Sequence, residues 1–220
     1  MIVVPQFEPV GHRYVVDGEE LASVTTVLKA LGLYPPFADG PYRERGTAVH
    51  LATEYDDLGE LDDERTHPAI LPYVEAWRQC RAALGLRFQL DQIEVRLANP
   101  DQRIAGTLDR LTDDAIYDLK TGAPPPCTAL QLAAYAHLAE LRDGRPRRRY
   151  SVWLRPDMEP RYKVCEYDDP NDFIVWDSCR VIYTSESARA LWPALVGVRE
   201  LTYDDLLSCL ALWTWKRKKE

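Results

Sequence analysis

Two aspartates and a lysine near the middle of the chain have the types and spacing that could do chemistry. Asp118 and Lys120 lie two residues apart in the apolar segment 115–120, and Asp109 follows Gly106 in the run Gly-Thr-Leu-Asp. Residues two apart on a strand share a face, with Cα atoms roughly 6.5–7 Å apart, so both side chains could reach one ion or water. Carboxylates suit a hard cation such as Mg²⁺ or Mn²⁺. A lysine beside them could orient or deprotonate a water and face the charge that develops on a phosphate.

The competing interpretation of Asp118 and Lys120 is an ordinary ion pair on the wet face of an edge strand, because the tripeptide DxK is common. Composition weakens that interpretation. The chain has 27 basic residues, and only six of them are lysines, three of which lie in the terminal run 216–219. Arginine is used wherever a generic positive charge suffices, so a lysine inside an apolar strand needs its own explanation.

Four further polar residues accompany these three along the chain. His50 ends the motif GTxxH, and Glu94 is predicted on the polar face of a neighbouring strand. Gln131 and Tyr135 are four apart in a predicted helix, so they share one of its faces. Taken singly, each is more simply explained as a surface residue, and His50 as a surface or core residue. Their order along the chain is what gives them weight.

That order is GTxxH, E, GxxD, DxKTG and QxxxY, and it resembles the RecB-like and Cas4-like branch of the PD-(D/E)XK nuclease superfamily, which includes stand-alone phage-type exonucleases. The resemblance covers roughly residues 46–140, and the opening segment 12–28 resembles the start of small phage-type members more loosely. Leu108 stands where the superfamily's name has a proline, and members of this branch commonly lack that proline.

The resemblance implies roles for individual residues. Lys120 would position the attacking water, and Glu94 would support the metal site directly or through water. The other implied metal ligands are His50, Asp109, Asp118 and the backbone carbonyl of Leu119. One or two Mg²⁺ or Mn²⁺ ions are expected.

The resemblance also implies contacts with nucleic acid. Gln131 and Tyr135 would contact DNA or brace the catalytic lysine, and Thr121 in the DxKTG motif would contact DNA. Arg43 and Arg45 come just before GTxxH and are candidates for touching a DNA end. A capped helix start with solvated charges explains these two arginines equally well.

The function that these motifs imply is a metal-dependent deoxyribonuclease. An exonuclease acting on single- or double-stranded DNA ends in recombination, repair or phage DNA metabolism is favoured, and a recombination or single-strand-binding protein is an expected partner. The alternatives are an inactive nucleic-acid-binding module of the same fold, an endonuclease, or a metallohydrolase of small phosphate esters. The sequence leaves strand preference, polarity and oligomeric state open.

Hydrophobic periodicity predicts the elements that must position these residues. The segment 87–97 alternates, with Ile93, Val95 and Leu97 on one face and Gln92, Glu94 and Arg96 on the other. In 115–120, Ile116 should share a face with Asp118 and Lys120, opposite Tyr117 and Leu119. The strands are predicted at 12–22 (two around a turn), 87–97, 103–111, 115–120, 148–155 and 161–167, and the helices at 23–31, 42–58, 68–85, 128–141, near 170–190 and 202–215.

This order predicts a mixed α/β fold, with a central mixed sheet flanked by helices. It agrees with the αβββαβ core of the PD-(D/E)XK nucleases. We expect a single domain over 1–220, with an N-terminal extension (1–45), a catalytic core (46–167) and a C-terminal helical cover (168–220).

Composition excludes several classes. The five cysteines lie far apart without a CxxC pair, which predicts buried thiols and neither a disulfide framework nor an iron–sulfur cluster. The sequence contains no GxxxxGK[ST] phosphate loop, so ATP binding is not expected. No apolar run is long enough for a membrane span. A cytoplasmic protein, bacterial or in a phage-infected host, is expected. Despite a net charge of −8, arginines cluster at 142–149, where DNA contact and simple solvation are equally well supported.

Overall fold

The computed structural model describes residues 1–34 and 41–186, and for residues 41 and 42 the backbone alone. The end of the helix predicted near 170–190, the helix predicted at 202–215 and the basic run 216–219 lie outside these ranges. None of the helices in the described ranges is long and apolar enough to cross a membrane.

Eight strands form one mixed sheet, in the order β1-β2-β3-β5-β6-β7-β8, with β4 paired to β5. The strands are β1 Gln6–Glu8, β2 Arg13–Val16, β3 Glu19–Ser23, β4 Ile93–Asn99, β5 Ile104–Leu111, β6 Ala115–Lys120, β7 Arg148–Leu154 and β8 Tyr162–Glu166. The helices are α1 Val24–Ala30, α2 Pro41–Leu58, α3 Leu71–Leu84, α4 Thr128–Asp143 and α5 Asn171–Thr184.

The central part of the chain follows the predicted αβββαβ order. Strands β4, β5 and β6 form an antiparallel meander, and β7 returns parallel to β6 after the crossover helix α4. The antiparallel strands β1, β2 and β3 join this sheet where β3 runs parallel to the start of β5. The predicted mixed α/β class is confirmed.

Strand β1 was not predicted, and two predicted elements begin several residues later than expected. The strand expected at 87–97 begins only at Ile93, because residues 90–92 form a 3-10 turn. The helix expected from Pro68 begins at Leu71, with Pro72 in its first turn, where a missing N–H costs nothing.

Helices cover both faces of β6, and all its residues but Lys120 are buried. Ile116 packs with the core beneath α1, α4 and α5. Tyr117 and Leu119 pack on the other face with Val49 of α2 and Trp77 of α3. The predicted division of faces is confirmed. The interpretation of β6 as an exposed edge strand is wrong, because β6 lies between β5 and β7, although Asp118 and Lys120 do form an ion pair.

The arginine cluster at 142–149 is engaged in the fold. Each of its five arginines pairs with a carboxylate, in the pairs Arg142–Asp143, Arg145–Asp113, Arg147–Asp143, Arg148–Asp114 and Arg149–Asp172. These pairs favour a structural role over DNA contact. Among the cysteines, Cys80, Cys127 and Cys179 are buried free thiols, as predicted, whereas Cys165 is half-buried and Cys209 lies outside the described residues.

Candidate metal and catalytic site

Asp109 lies where β5 and β6 separate. The two strands pair only at Arg110 with Tyr117 and at Leu111 with Ile116. Further along β6, the Leu119 N–H donates to the Asp109 side chain, at 2.7 Å from Oδ2, and not to a backbone carbonyl of β5. The Asp109 side chain therefore fills the gap between the strands.

Three predicted metal ligands converge around this gap. His50 of α2, Glu94 of β4 and Asp109 each offer one ligand atom, and these atoms all lie within 4.8 Å of one another. The His50 Nδ1 to Asp109 Oδ1 distance is 3.4 Å. An imidazole nitrogen and two carboxylates form a donor set that suits Mn²⁺ or Mg²⁺. The residues present therefore fit a divalent cation.

The pKa values at this cluster reflect mutual electrostatic contact. Burial lowers the pKa of His50, but the Asp109 and Glu94 carboxylates outweigh it and raise that pKa to about 9. Burial and the nearby Asp109 charge raise the pKa of Glu94 to about 7. Strongly perturbed groups gathered in one place are typical of functional sites.

Glu94 adopts an unusual backbone conformation for a strand residue. Its φ is 47°, in the left-handed region that non-glycine residues seldom enter. Its side chain is only 21% exposed and its Oε1 lies 3.4 Å from Arg110 Nη1. The solvent-facing interpretation of Glu94 is therefore wrong: it takes part in the cluster. Residues with a left-handed backbone conformation cluster at active sites and ligand-binding sites, so the φ of Glu94 is a further mark of a functional position.

Lys120 is held by two groups. Its Nζ lies 2.7 Å from Asp118 Oδ2 and donates to Gln131 Oε1 at 3.1 Å. The Gln131 amide in turn donates to the Tyr135 hydroxyl at 3.1 Å and to Asp118 Oδ1 at 3.4 Å. Of the two roles predicted for Gln131 and Tyr135, these contacts provide the bracing of Lys120.

Charge keeps Lys120 protonated. Burial lowers its pKa, but the carboxylates of Asp118 and Asp109 outweigh burial and raise it above its ordinary value. In this state the side chain is a cation held between Asp118 and Gln131. A positive charge held in this way suits orienting a water or a phosphate.

Asp118 lies beside the three-residue cluster and not within it, because its carboxylate turns towards Lys120. Its Oδ2 is buried and pairs with the Lys120 ammonium at 2.7 Å, and its Oδ1 lies 3.4 Å from the Gln131 amide nitrogen. Burial raises the pKa of Asp118, and the negative charge of Asp109 raises it further.

A buried ion network that was not predicted supports the cluster. The Arg110 side chain is 0% exposed and contacts Asp57 of α2. Asp57 also accepts from Trp77 Nε1 at 3.0 Å and pairs with Arg81 at 2.6 Å, both on α3. Through Arg110, the helix that carries His50 is tied to Glu94. An arginine inside the apolar strand β5 was the available signal, because a charge buried in a strand needs a partner of opposite charge.

Gly106 of the GxxD motif lies against the Tyr135 ring. A Cβ at Gly106 would lie 2.7 Å from Tyr135 Cε1 and 3.2 Å from its Cδ1. We expect Gly106→Ala to lower the free energy of unfolding by about 1–3 kcal/mol, because the buried ring must move. Urea denaturation measures this, with Gly122→Ala, which meets open space, as the matched control. Equal stability of the two variants would contradict the close packing.

The remaining predicted residues surround the start of α2. The Arg45 guanidinium lies 5.4 Å from the centre of the Tyr73 ring, and Arg43 is exposed. At Gly46 a Cβ would lie 3.7 Å from Thr121 Oγ1, so this helix packs against the segment after β6. Contacts of Arg43, Arg45 and Thr121 with DNA stay predictions.

Comparison with known proteins gives a likeness of fold and no match at the level of sequence. No protein-family model and no curated protein matches this chain. The chain is similar to the crystal structure of a candidate exonuclease from Eubacterium rectale, with a TM-score of 0.49 and 12% identity over 80% of this chain and 81% of the other. We therefore infer function from the geometry of the site itself.

Proposed function

We propose that this protein is a divalent-metal-dependent deoxyribonuclease. The observation that carries the proposal is the convergence of His50, Glu94 and Asp109 within 4.8 Å, beside a lysine held by Asp118 and Gln131. Metal ligands next to a fixed cation are what phosphodiester hydrolysis needs, since negative charge must be neutralised as it develops. The order of the sequence motifs supports the same assignment, in the RecB-like branch.

His50, Glu94 and Asp109 would hold the cation, with Asp118 as a further ligand. The Leu119 carbonyl is a suitable addition. Because the N–H and C=O of one strand residue point to the same side, this carbonyl faces the gap into which the Leu119 N–H donates to Asp109. A bound Mg²⁺ or Mn²⁺ would supply Lewis-acid polarisation of a phosphate and lower the pKa of a water.

The chain's own groups would do the positioning. The Lys120 ammonium would orient the attacking water and stabilise charge on the phosphate oxygens, while Gln131 and Tyr135 keep the lysine in place. DNA ends are the proposed substrate, and an exonuclease in recombination, repair or phage DNA metabolism is the form we favour.

Cleavage of DNA tests this proposal directly. End-labelled linear DNA and a covalently closed circle are incubated with the protein in Mg²⁺, in Mn²⁺ or in EDTA. We expect the linear DNA to be degraded only with metal, and Asp118→Asn to lower the rate at least about 100-fold. The control Asp157→Asn changes an exposed aspartate between β7 and β8 and should keep full activity.

Three outcomes would change the proposal. Cleavage of the circle would favour an endonuclease, and faster hydrolysis of mononucleotides than of DNA would favour a small-ester metallohydrolase. Full activity of Asp118→Asn would contradict the assignment of the site.

A further inference from the structure

The N-terminal hairpin of β1 and β2 lies next to the metal cluster. Phe7 and Tyr14 are partners across this hairpin, and the buried Tyr14 hydroxyl is hydrogen-bonded to Thr107 Oγ1 of β5 at 2.8 Å. Thr107 lies two residues before Asp109 on the same strand. Residues two apart on a strand are about 7 Å apart at Cα, so the hairpin packs next to Asp109, a proposed metal ligand.

Arg96 occupies the corresponding position on β4. It lies opposite Thr107 in the β4–β5 register, two residues after Glu94. Its exposed guanidinium is centred 4.7 Å from the centre of the Phe7 ring. The Phe7 ring of the hairpin thus supports a cation of β4 at the margin of the cluster.

A second cation is supported in the same way. Lys29, exposed on α1, has its Nζ 5.4 Å from the centre of the Tyr34 ring. Burial raises the pKa of Tyr34, and the Lys120 ammonium lowers it, so this ring lies within the field of the catalytic lysine. Helix α1 also packs on α4, the helix whose Gln131 accepts from Lys120, so Lys29 belongs to the Lys120 side of the sheet.

Arg96 and Lys29 differ from most basic residues near them. Among the residues that the structure describes, neither has a carboxylate partner, whereas Arg13 of β2 and Arg103 just before β5 both pair with glutamates. Partial burial lowers the pKa of His12, and the positive charges of Lys29, Arg43 and Arg96 lower it further. All three charges therefore act on the His12 ring.

We propose that Arg96 and Lys29 form a phosphate subsite that holds a nucleic-acid strand beside the metal cluster. The inference rests on the proposed nuclease function and specifies how its substrate is held. A protein with a net charge of −8 needs local positive charge to bring a polyanion to its carboxylates. The aromatic rings beneath the two cations fix their positions while leaving the charges open to a ligand.

Salt-dependent binding tests the subsite. Fluorescence anisotropy of a short fluorescein-labelled oligothymidylate is measured in EDTA, where cleavage is not expected, over a series of NaCl concentrations. The variants are Arg96→Gln and Lys29→Gln. The matched control is Lys163→Gln, which removes an exposed lysine of β8 at the opposite end of the sheet.

Each subsite variant is expected to reduce the slope of log affinity against log salt by about 0.7 and to weaken binding about tenfold at low salt, as expected for one lost phosphate contact. Lys163→Gln should match the wild type. A wild type that binds and cleaves DNA, with unchanged slopes in Arg96→Gln and Lys29→Gln, would overturn the subsite alone. A wild type that neither binds nor cleaves DNA would overturn the proposed function and the subsite with it.

Discussion

Replacing Lys120 with glutamine is expected to lower the rate of DNA cleavage about 10²–10³-fold, because a fixed charge beside the reacting phosphate is lost. The ammonium lies 2.7 Å from Asp118 Oδ2 and donates to Gln131. Glutamine is polar but carries no charge. The three ligand atoms of His50, Glu94 and Asp109 do not include Lys120, so metal binding should persist.

Single-turnover cleavage at saturating Mn²⁺ measures this loss, alongside thermal unfolding to show that the variant is folded. The control is Lys163→Gln, which removes an exposed lysine from β8 and should leave the rate unchanged. A folded Lys120→Gln variant that cleaves DNA at the wild-type rate would show that the lysine has no role in the chemistry.

Replacing Arg110 with methionine is expected to lower the free energy of unfolding by about 3–5 kcal/mol, because it removes one of the two arginines that compensate the buried Asp57 carboxylate. Both side chains of the Arg110–Asp57 pair are 0% exposed. The change should also weaken Mn²⁺ binding about 10–100-fold, the usual cost of losing a group that orients a ligand. The ligand concerned is Glu94, whose carboxylate Arg110 approaches at 3.4 Å.

Arg149→Met is the matched control for Arg110→Met. Arg149 forms a comparably buried pair with Asp172 at 2.8 Å, between β7 and α5. The control should lose similar stability but keep its Mn²⁺ affinity. Equal Mn²⁺ affinity in the two folded variants would show that Arg110 is structural only.

The sequence predicted those parts of the site that depend on local periodicity. Alternation in 115–120 placed Asp118 and Lys120 together on the face towards α4, as the contacts with Gln131 show. The helical spacing of Gln131 and Tyr135 was likewise sufficient to place both on one face. Strand and helix periods fix which residues share a face, and these features follow from them.

Features that depend on a single dihedral or on tertiary packing were not predictable in this way. Alternation in β4 placed Glu94 on the polar face, but neither its left-handed φ of 47° nor its approach to His50 of α2 follows from that pattern. The Arg110–Asp57 pair depends on how α2 and α3 pack on the sheet, which no local pattern encodes. The three-residue strand β1 is too short to carry a period.

The metal centre is the claim on which the proposed function depends, and Mn²⁺ binding measured by electron paramagnetic resonance tests it most directly. The wild type should bind Mn²⁺, and Asp109→Asn should lose affinity by about 100-fold or more, because Asp109 belongs to the three-residue cluster and also spans the gap to β6. The exposed control Asp157→Asn should bind as the wild type does. Wild-type Mn²⁺ affinity in a folded Asp109→Asn variant would contradict the assignment of this site as a metal centre.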